Sequence, residues 1–462
     1  MKKQILLGAA ILFAASMYAQ QCDDCEIQQQ DCTDCSFTQL QSGPRGAAIN
    51  TSLVDQEGLD NVAIVDQTGA GNFSTIKQDG KMFSGHGMSG GIGNVANVDQ
   101  TGIKNHSDIK QDGNYNYGDV YQYGTENYAK QDVGVGYAEG NTAWAHQNGE
   151  DNTSFQKQRY DLNFAHVDQN GTANYAQQDQ SSGANHVWGS NAYINQGGTE
   201  NEAKQTQRGS FNWATAYQYG YQNSSNENQK SDAGGLSSNN SYVDQYGSWN
   251  LSCVTQEATG LAYNDSFVWQ TGETNNSFVD QYANNGSNYS TVIQGLFYYA
   301  YGNTSKVKQT ANGGVNISSV WQEGSDNEST VDQSVSHGGI SYSDVYQEGD
   351  SNQSGVSQSG EGYNQSGVTQ MGGDNYSVVD QSAASNGANY STVGQYGWDN
   401  LSCVSQNATL GTNTSNVMQW GVGNESHVNQ NAISASNSSN VSQIGHSNFS
   451  CVTQTGLAGG GF

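Results

Sequence analysis

The chain has 462 residues, of which 34% are hydrophobic and only one is proline, and it carries a formal net charge of −28. So acidic a balance argues against nucleic-acid binding, which needs basic patches to neutralise phosphates. So little apolar content argues against an ordinary globular core, while the 27 tyrosines and the periodic Val and Ile argue against disorder.

Residues 1–19 read as a signal peptide: Lys2 and Lys3 supply the basic region, Ile5 to Ala15 the apolar run and Ala19 a small residue before a cut. That run is too short to span a bilayer, and no later segment approaches the length of a membrane helix. The expectation is an exported protein that is not inserted in a membrane. Residues 20–49 form a Cys-rich tail, expected to serve export or anchoring. It holds the pairs Cys22/Cys25 and Cys32/Cys35. An exported chain favours disulfides among these four. A metal site is the alternative, although the separation between the two pairs is shorter than the usual zinc-ribbon spacing.

From about residue 50 to 456 one phrase recurs: Asn-x-Ala/Ser-x-Val-x-Gln followed by a short turn. Asn61-Val62-Ala63-Ile64-Val65-Asp66-Gln67 is one copy, and Asn72 to Gln78 is the next. The marked residues stand two apart, which is strand periodicity, so they share one face. That face is small and uniform while the other varies, and it is assigned to the interior. Glycines such as Gly69, Gly102 and Gly124 follow the glutamines, where tight turns need positive φ.

Two units of about 11 residues make one flattened coil. The expected fold is all-β: a parallel β-solenoid of about 16–17 two-strand coils forming two facing sheets, in one long domain. Like residues then stack at the strand spacing of roughly 4.8 Å. Stacked side-chain amides donate to and accept from their neighbours, which explains an interior rich in Asn, Gln and Ser. Having no proline after Pro44 keeps every later backbone N–H available to a ladder. Irregularities are expected around Gln131 and Val133, near Asn185 to Gln196, and where Ser341 replaces Asn. Residues 457–462 form a short tail.

Three cysteines, Cys253, Cys403 and Cys451, recur in Asn-x-Ser-Cys-Val-x-Gln. Parity turns them outward, and the alternation of short and long turns puts all three on the same sheet. Cys403 and Cys451 fall two coils apart, roughly 9.6 Å, too far for a disulfide within the chain. They are expected as outward thiols, free or linking laterally packed molecules. Outward aspartates beside the glutamines (Asp55, Asp66, Asp99, Asp244, Asp280, Asp332, Asp380) read as a solvated charged face that restrains association. Histidines such as His106, His146 and His166 read as isolated surface residues. No non-repeating catalytic constellation stands out, so an enzyme is not expected and no cofactor is implied.

The spacing Gln56-x4-Asn61-x5-Gln67-x4-Asn72-x5-Gln78, repeated at Gln100, Asn105, Gln111, Asn116 and Gln122, resembles the curlin repeats of bacterial curli fibre subunits, as do the Tyr-Gln-Tyr-Gly strings at Tyr121 and Tyr217. The resemblance implies a secreted subunit that polymerises into extracellular amyloid fibres of a biofilm matrix. It also implies an outer-membrane secretion pore and a nucleator subunit as partners. In that family the inward amides of the terminal repeats are linked to seeding, and here Gln56, Asn61, Gln67, Asn72 and Gln78 lie near one end. Asn437, Gln443, Asn448 and Gln454, with Val452 between them, lie near the other. This chain has more repeats than a typical curlin subunit. The rival expectation is a capped, monomeric surface adhesin with a ligand-binding face.

Overall fold

The computed structural model describes residues 36–43, 48–79, 91–135, 138–183, 188–232, 235–295 and 300–457, and the backbone of 27–33. The signal peptide expected at residues 1–19 and the pairing expected of Cys22, Cys25 and Cys35 fall outside the described residues, and Cys32 is described by its backbone alone. Among the described residues every regular element is a β-strand. Among them no helix is long and apolar enough to cross a membrane. The chain divides into two compact units, Met1–Asn201 and Glu202–Phe462.

In the amino-terminal unit consecutive strands alternate between two sheets, and each strand pairs in parallel with the next strand but one. Val62–Ala70 pairs with Val95–Ile103 so that Ala63 meets Ala96, Val65 meets Val98 and Gln67 meets Gln100. Sheet A includes Thr51–Leu59, Phe73–Asp79, His106–Asp112 and Tyr128–Val135; sheet B includes Val62–Ala70, Val95–Ile103, Tyr117–Thr125 and Thr142–Glu150. The alternation of side chains along each strand seals Ala, Val and Ile between the sheets, with Val65, Ile76, Val98, Ile109 and Val120 in one buried cluster. The same coil pattern builds the carboxy-terminal unit, where a spine of buried valines runs from Val243 to Val441 and draws alternately on the two sheets. The fold is therefore the all-β solenoid of two parallel sheets that the periodicity predicts, with about 16 turns along the chain.

Turn geometry explains how so regular a coil closes. In the turn Gln100–Asn105, Gly102 has φ +130° and Lys104 φ +55°. Successive glycines lie against one another: a Cβ on Gly102 would stand 1.9 Å from the carbonyl oxygen of Gly124. No side chain fits that approach, so the column selects glycine.

Of four local details, the first and last depart from the sequence reading and the middle two fall where it expects irregularities. Pairing begins before residue 50: Ile27–Thr33 and Ser36–Ser42 run parallel to Thr51–Leu59 and Val62–Ala70 and supply one further coil. Near Val133 the register slips against Gln158 and Arg159, a bulge that uses the positive φ of Gly134. In the stretch near Asn185 to Gln196, the asparagine place of the column is filled by Ser190, whose N–H reaches Asn163 Oδ1 at 3.1 Å. Finally, the row that Ser287–Gln294 begins is completed by the two-residue strand Ala300–Tyr301 beside Gly272 and Glu273.

Candidate functional site

The residues that recur most strictly are the inward amides, and the structure brings them into columns. Gln67 Nε2 donates to Gln100 Oε1 at 2.7 Å, Gln100 to Gln122 at 2.8 Å and Gln122 to Gln147 at 2.8 Å. On sheet A, Gln56 donates to Gln78 and Gln78 to Gln111. The second hydrogen of each amide braces the two sheets. Gln67 Nε2 reaches Thr51 O on the facing sheet at 3.1 Å, and Gln78 Nε2 reaches Val62 O at 3.0 Å. A buried amide left without partners costs about 1–3 kcal/mol, and here each is served by its own kind and by backbone.

Asparagine columns line the turns. Asn105 N–H donates to Asn72 Oδ1, and Asn127 donates to Asn105 Oδ1 from both its backbone N–H and Nδ2, each at 3.1 Å. The side chains also tie down turn carbonyls, as Asn72 Nδ2 does for Thr68 O and Gly102 O. The two kinds of column have opposite sense. Each glutamine donates to the residue one coil later, whereas each asparagine donates to the residue one coil earlier. Backbone partners fix both assignments, because Asn Oδ1 accepts a backbone N–H and Gln Nε2 donates to a backbone carbonyl.

The expected irregularities are breaks in these columns. Val133 interrupts the sheet A glutamines, and Gln158 Oε1 is left without a donor. Sequence reading missed a second inward amide column, Gln131 to Gln156 to Gln178 at 2.9 and 3.0 Å, which takes over the valine place. It also missed Glu227, fully buried at that place in the carboxy-terminal unit, which accepts from Gln205 Nε2 at 3.0 Å. Burial pushes its carboxyl up to about 8, so it holds its proton at neutral pH.

At the carboxy-terminal end, Phe449–Gly456 pairs with Glu425–Ala432 on one edge, and among the described residues nothing pairs with its other edge. Gln430 donates to Gln454 Oε1 at 2.7 Å, and Gln454 Nε2 reaches Ser438 O at 2.8 Å. Asn448 donates to Asn424 Oδ1, Asn437 to Asn413 Oδ1, and Gln443 accepts from Gln419. Val452 packs onto the valine spine but stays partly open. At the other end, Gln56, Gln67, Asn72 and Gln78 lie in their columns but are not outermost, while Asn61 is the first described asparagine of its column. Gln41 Nε2 donates to Gln67 Oε1 at 2.7 Å, and Gln29 aligns with Gln56.

The outer faces differ. Every Lys and Arg borne by a described strand lies on sheet A, among them Lys77, Lys110, Lys130, Lys306 and Lys308; every strand-borne Trp lies on sheet B, among them Trp144, Trp269, Trp321 and Trp420. Rings stack along the coils, as Tyr396 on Trp420 at 4.4 Å. His146 and His166 are not isolated: they lie 5.7 Å apart beside Trp144, and His106 sits between Phe73 and Tyr128. Cys253, Cys403 and Cys451 are free and face outward on sheet A, with His427 between the latter two. Burial raises the Cys253 and Cys403 thiols above their ordinary range, which lowers their thiolate fraction.

Comparison with protein families gives a match at residues 50–80 to the curlin associated repeat. The matched segment holds Asn50, Gln56, Asn61, Gln67, Asn72 and Gln78, members of the amide columns near the amino-terminal end. No curated protein matches the chain.

Proposed function

We propose that the chain is a structural subunit that adds end to end into extracellular fibres, each terminal strand templating the next copy. The observation that carries this reading is the strand Phe449–Gly456. It keeps the whole inward phrase, Ser450, Val452 and Gln454, yet is paired on one edge only among the described residues. An unpaired strand edge with alternate side chains ready to stack is a template for another chain. The amide columns add a direction. A copy that docks with the same sense meets donors with acceptors in both columns, whereas a reversed copy sets like groups against each other. A same-sense contact is heterologous and does not close, so it propagates as a filament.

The curlin match supports a place outside the cell, and a fibre of the curli-like amyloid kind in a biofilm matrix is the finer proposal. Release through an outer-membrane pore and nucleation by an accessory subunit belong to the same proposal, as does a non-enzymatic role. The exposed ring rows of sheet B support a second reading, a monomeric adhesin.

Seeded growth tests the choice. Val452→Lys with Gln454→Glu should slow elongation about tenfold or more, the cost of roughly one lost edge contact. Dye fluorescence and electron microscopy read the rate. Unchanged growth would remove the carboxy-terminal edge from the mechanism, and a chain that stays monomeric for days would favour the adhesin.

A further inference from the structure

The outer face of sheet B in the carboxy-terminal unit holds a carboxylate that the fold leaves without a counter-charge. Asp244 stands at an outward place on the strand Ser238–Ser248, where sequence parity predicts a solvated acid, yet it is only 3% exposed. Its four nearest neighbours on that face are aromatic. Register sets Tyr217 and Trp269 beside it on the adjoining strands Asn212–Tyr221 and Tyr263–Glu273. Tyr242 and Tyr246 flank it on its own strand.

The rings hold one another in place. Tyr242 stacks on Phe267 with centroids 5.3 Å apart, and Tyr246 meets Trp269 at 5.6 Å. Asp is far shorter than Tyr or Trp, so the carboxylate lies beneath the rings that flank it. Its Oδ1 is buried and left without a partner. Burial pushes this carboxyl up to about 6, which still leaves it mostly ionised at neutral pH.

A buried anion is stable only when paired or well hydrogen-bonded. The described strands of sheet B carry no Lys or Arg, so this face supplies no cation. Asp265 on the next strand is served differently, by the Asn240 amide at 2.9 Å. Aromatic rings grouped around an anion suit an alkylammonium group, which gains from the rings and the charge together. We propose that Asp244, Tyr217, Tyr242, Tyr246 and Trp269 form a binding site for an alkylammonium head group. The site faces outward, away from the end strands, and does not depend on fibre growth.

Titration of the full chain with choline, followed by tryptophan fluorescence, tests the site. The expected result is a saturable response that uncharged dimethylbutanol of the same shape does not reproduce and sodium chloride at equal ionic strength does not mimic. Methylamine in parallel separates primary from quaternary ammonium. Asp244→Asn, nearly isosteric on an outer face, should weaken choline binding about tenfold or more, and Trp269→Leu should weaken it as well. An equal response to dimethylbutanol or sodium, or full affinity in Asp244→Asn with unchanged circular dichroism, overturns the proposal.

Discussion

Asn316 and Ser341 occupy the same place on adjacent strands of sheet B, and Asn316 Oδ1 finds no donor there. One coil earlier, Asn316 Nδ2 donates to Asn288 Oδ1 at 2.9 Å, and the column resumes where Asn389 donates to Asn364 at 3.0 Å. The serine hydroxyl is too short to bridge two strands. Ser341→Asn should rejoin the column and raise stability by about 1 kcal/mol, the net worth of one buried hydrogen bond. Urea unfolding of the purified chain measures it, and a lowered midpoint would mean that the place cannot seat an amide.

Buried serines pose the opposite case. Ser377 Oγ has no partner, and its column neighbours Ser354 and Ser402 lie about one strand spacing away, roughly 4.8 Å, beyond hydrogen-bond reach. On the same sheet the amino-terminal unit seats alanine at this place in Ala129 and Ala176, beside serines such as Ser107 and Ser154. Ser377→Ala should be neutral or stabilising by up to about 1 kcal/mol. Thermal unfolding checks the sign.

Where glycine stacks on glycine, the column leaves no room for a side chain. Gly124 has φ +126°, and a Cβ there would stand 1.9 Å from Gly149 O. Gly124→Ala should cost more than about 2 kcal/mol, combining backbone strain with a clash that only a shift of the coil relieves. Gly367→Ala is the control, since nothing lies within 4 Å of its Cβ. Equal losses in the two variants would refute the column's role.

Glu227 sets a pH dependence. Its carboxyl is raised from 4.5 to about 8 by burial, so between those values the folded chain holds a proton that the unfolded chain releases. Its contribution to stability is therefore complete below about 4.5, falls as pH rises, and is lost above about 8. The interior neighbours are Gln205, Val254 and Gln229, and no cation faces it to reverse the sign. Glu227→Gln should flatten the slope across that window and stabilise the chain at its alkaline end. Chemical unfolding at several pH values reads this, and an unchanged slope would assign the dependence elsewhere.

The glutamine columns are legible in the sequence because an amide that must meet its own kind every coil recurs at fixed spacing, as Gln67, Gln100 and Gln122 do. Ser190 is not legible. The residues before it erase the spacing, and a serine announces only small size. The coil at Ile27–Ser42 escapes notice because it shares little of the phrase beyond Gln29 and Gln41. Asp244 shows a different limit. Parity gives its outward direction correctly, but its exposure is decided by Tyr217 and Trp269, which neighbour it only once the coils are stacked. Gln131 and Glu227 are hidden for a similar reason: a polar residue in a valine place is interpretable only when the partner one coil away is known.

The opposed sense of the asparagine and glutamine columns has an electrostatic consequence. In an α-helix aligned peptide dipoles add up to partial charges at the termini. Here each extra coil contributes amide dipoles of both senses, and along the axis they offset one another. The side-chain ladders therefore add little net axial dipole as the stack lengthens, so gene duplication can vary the number of turns without polarising the whole rod.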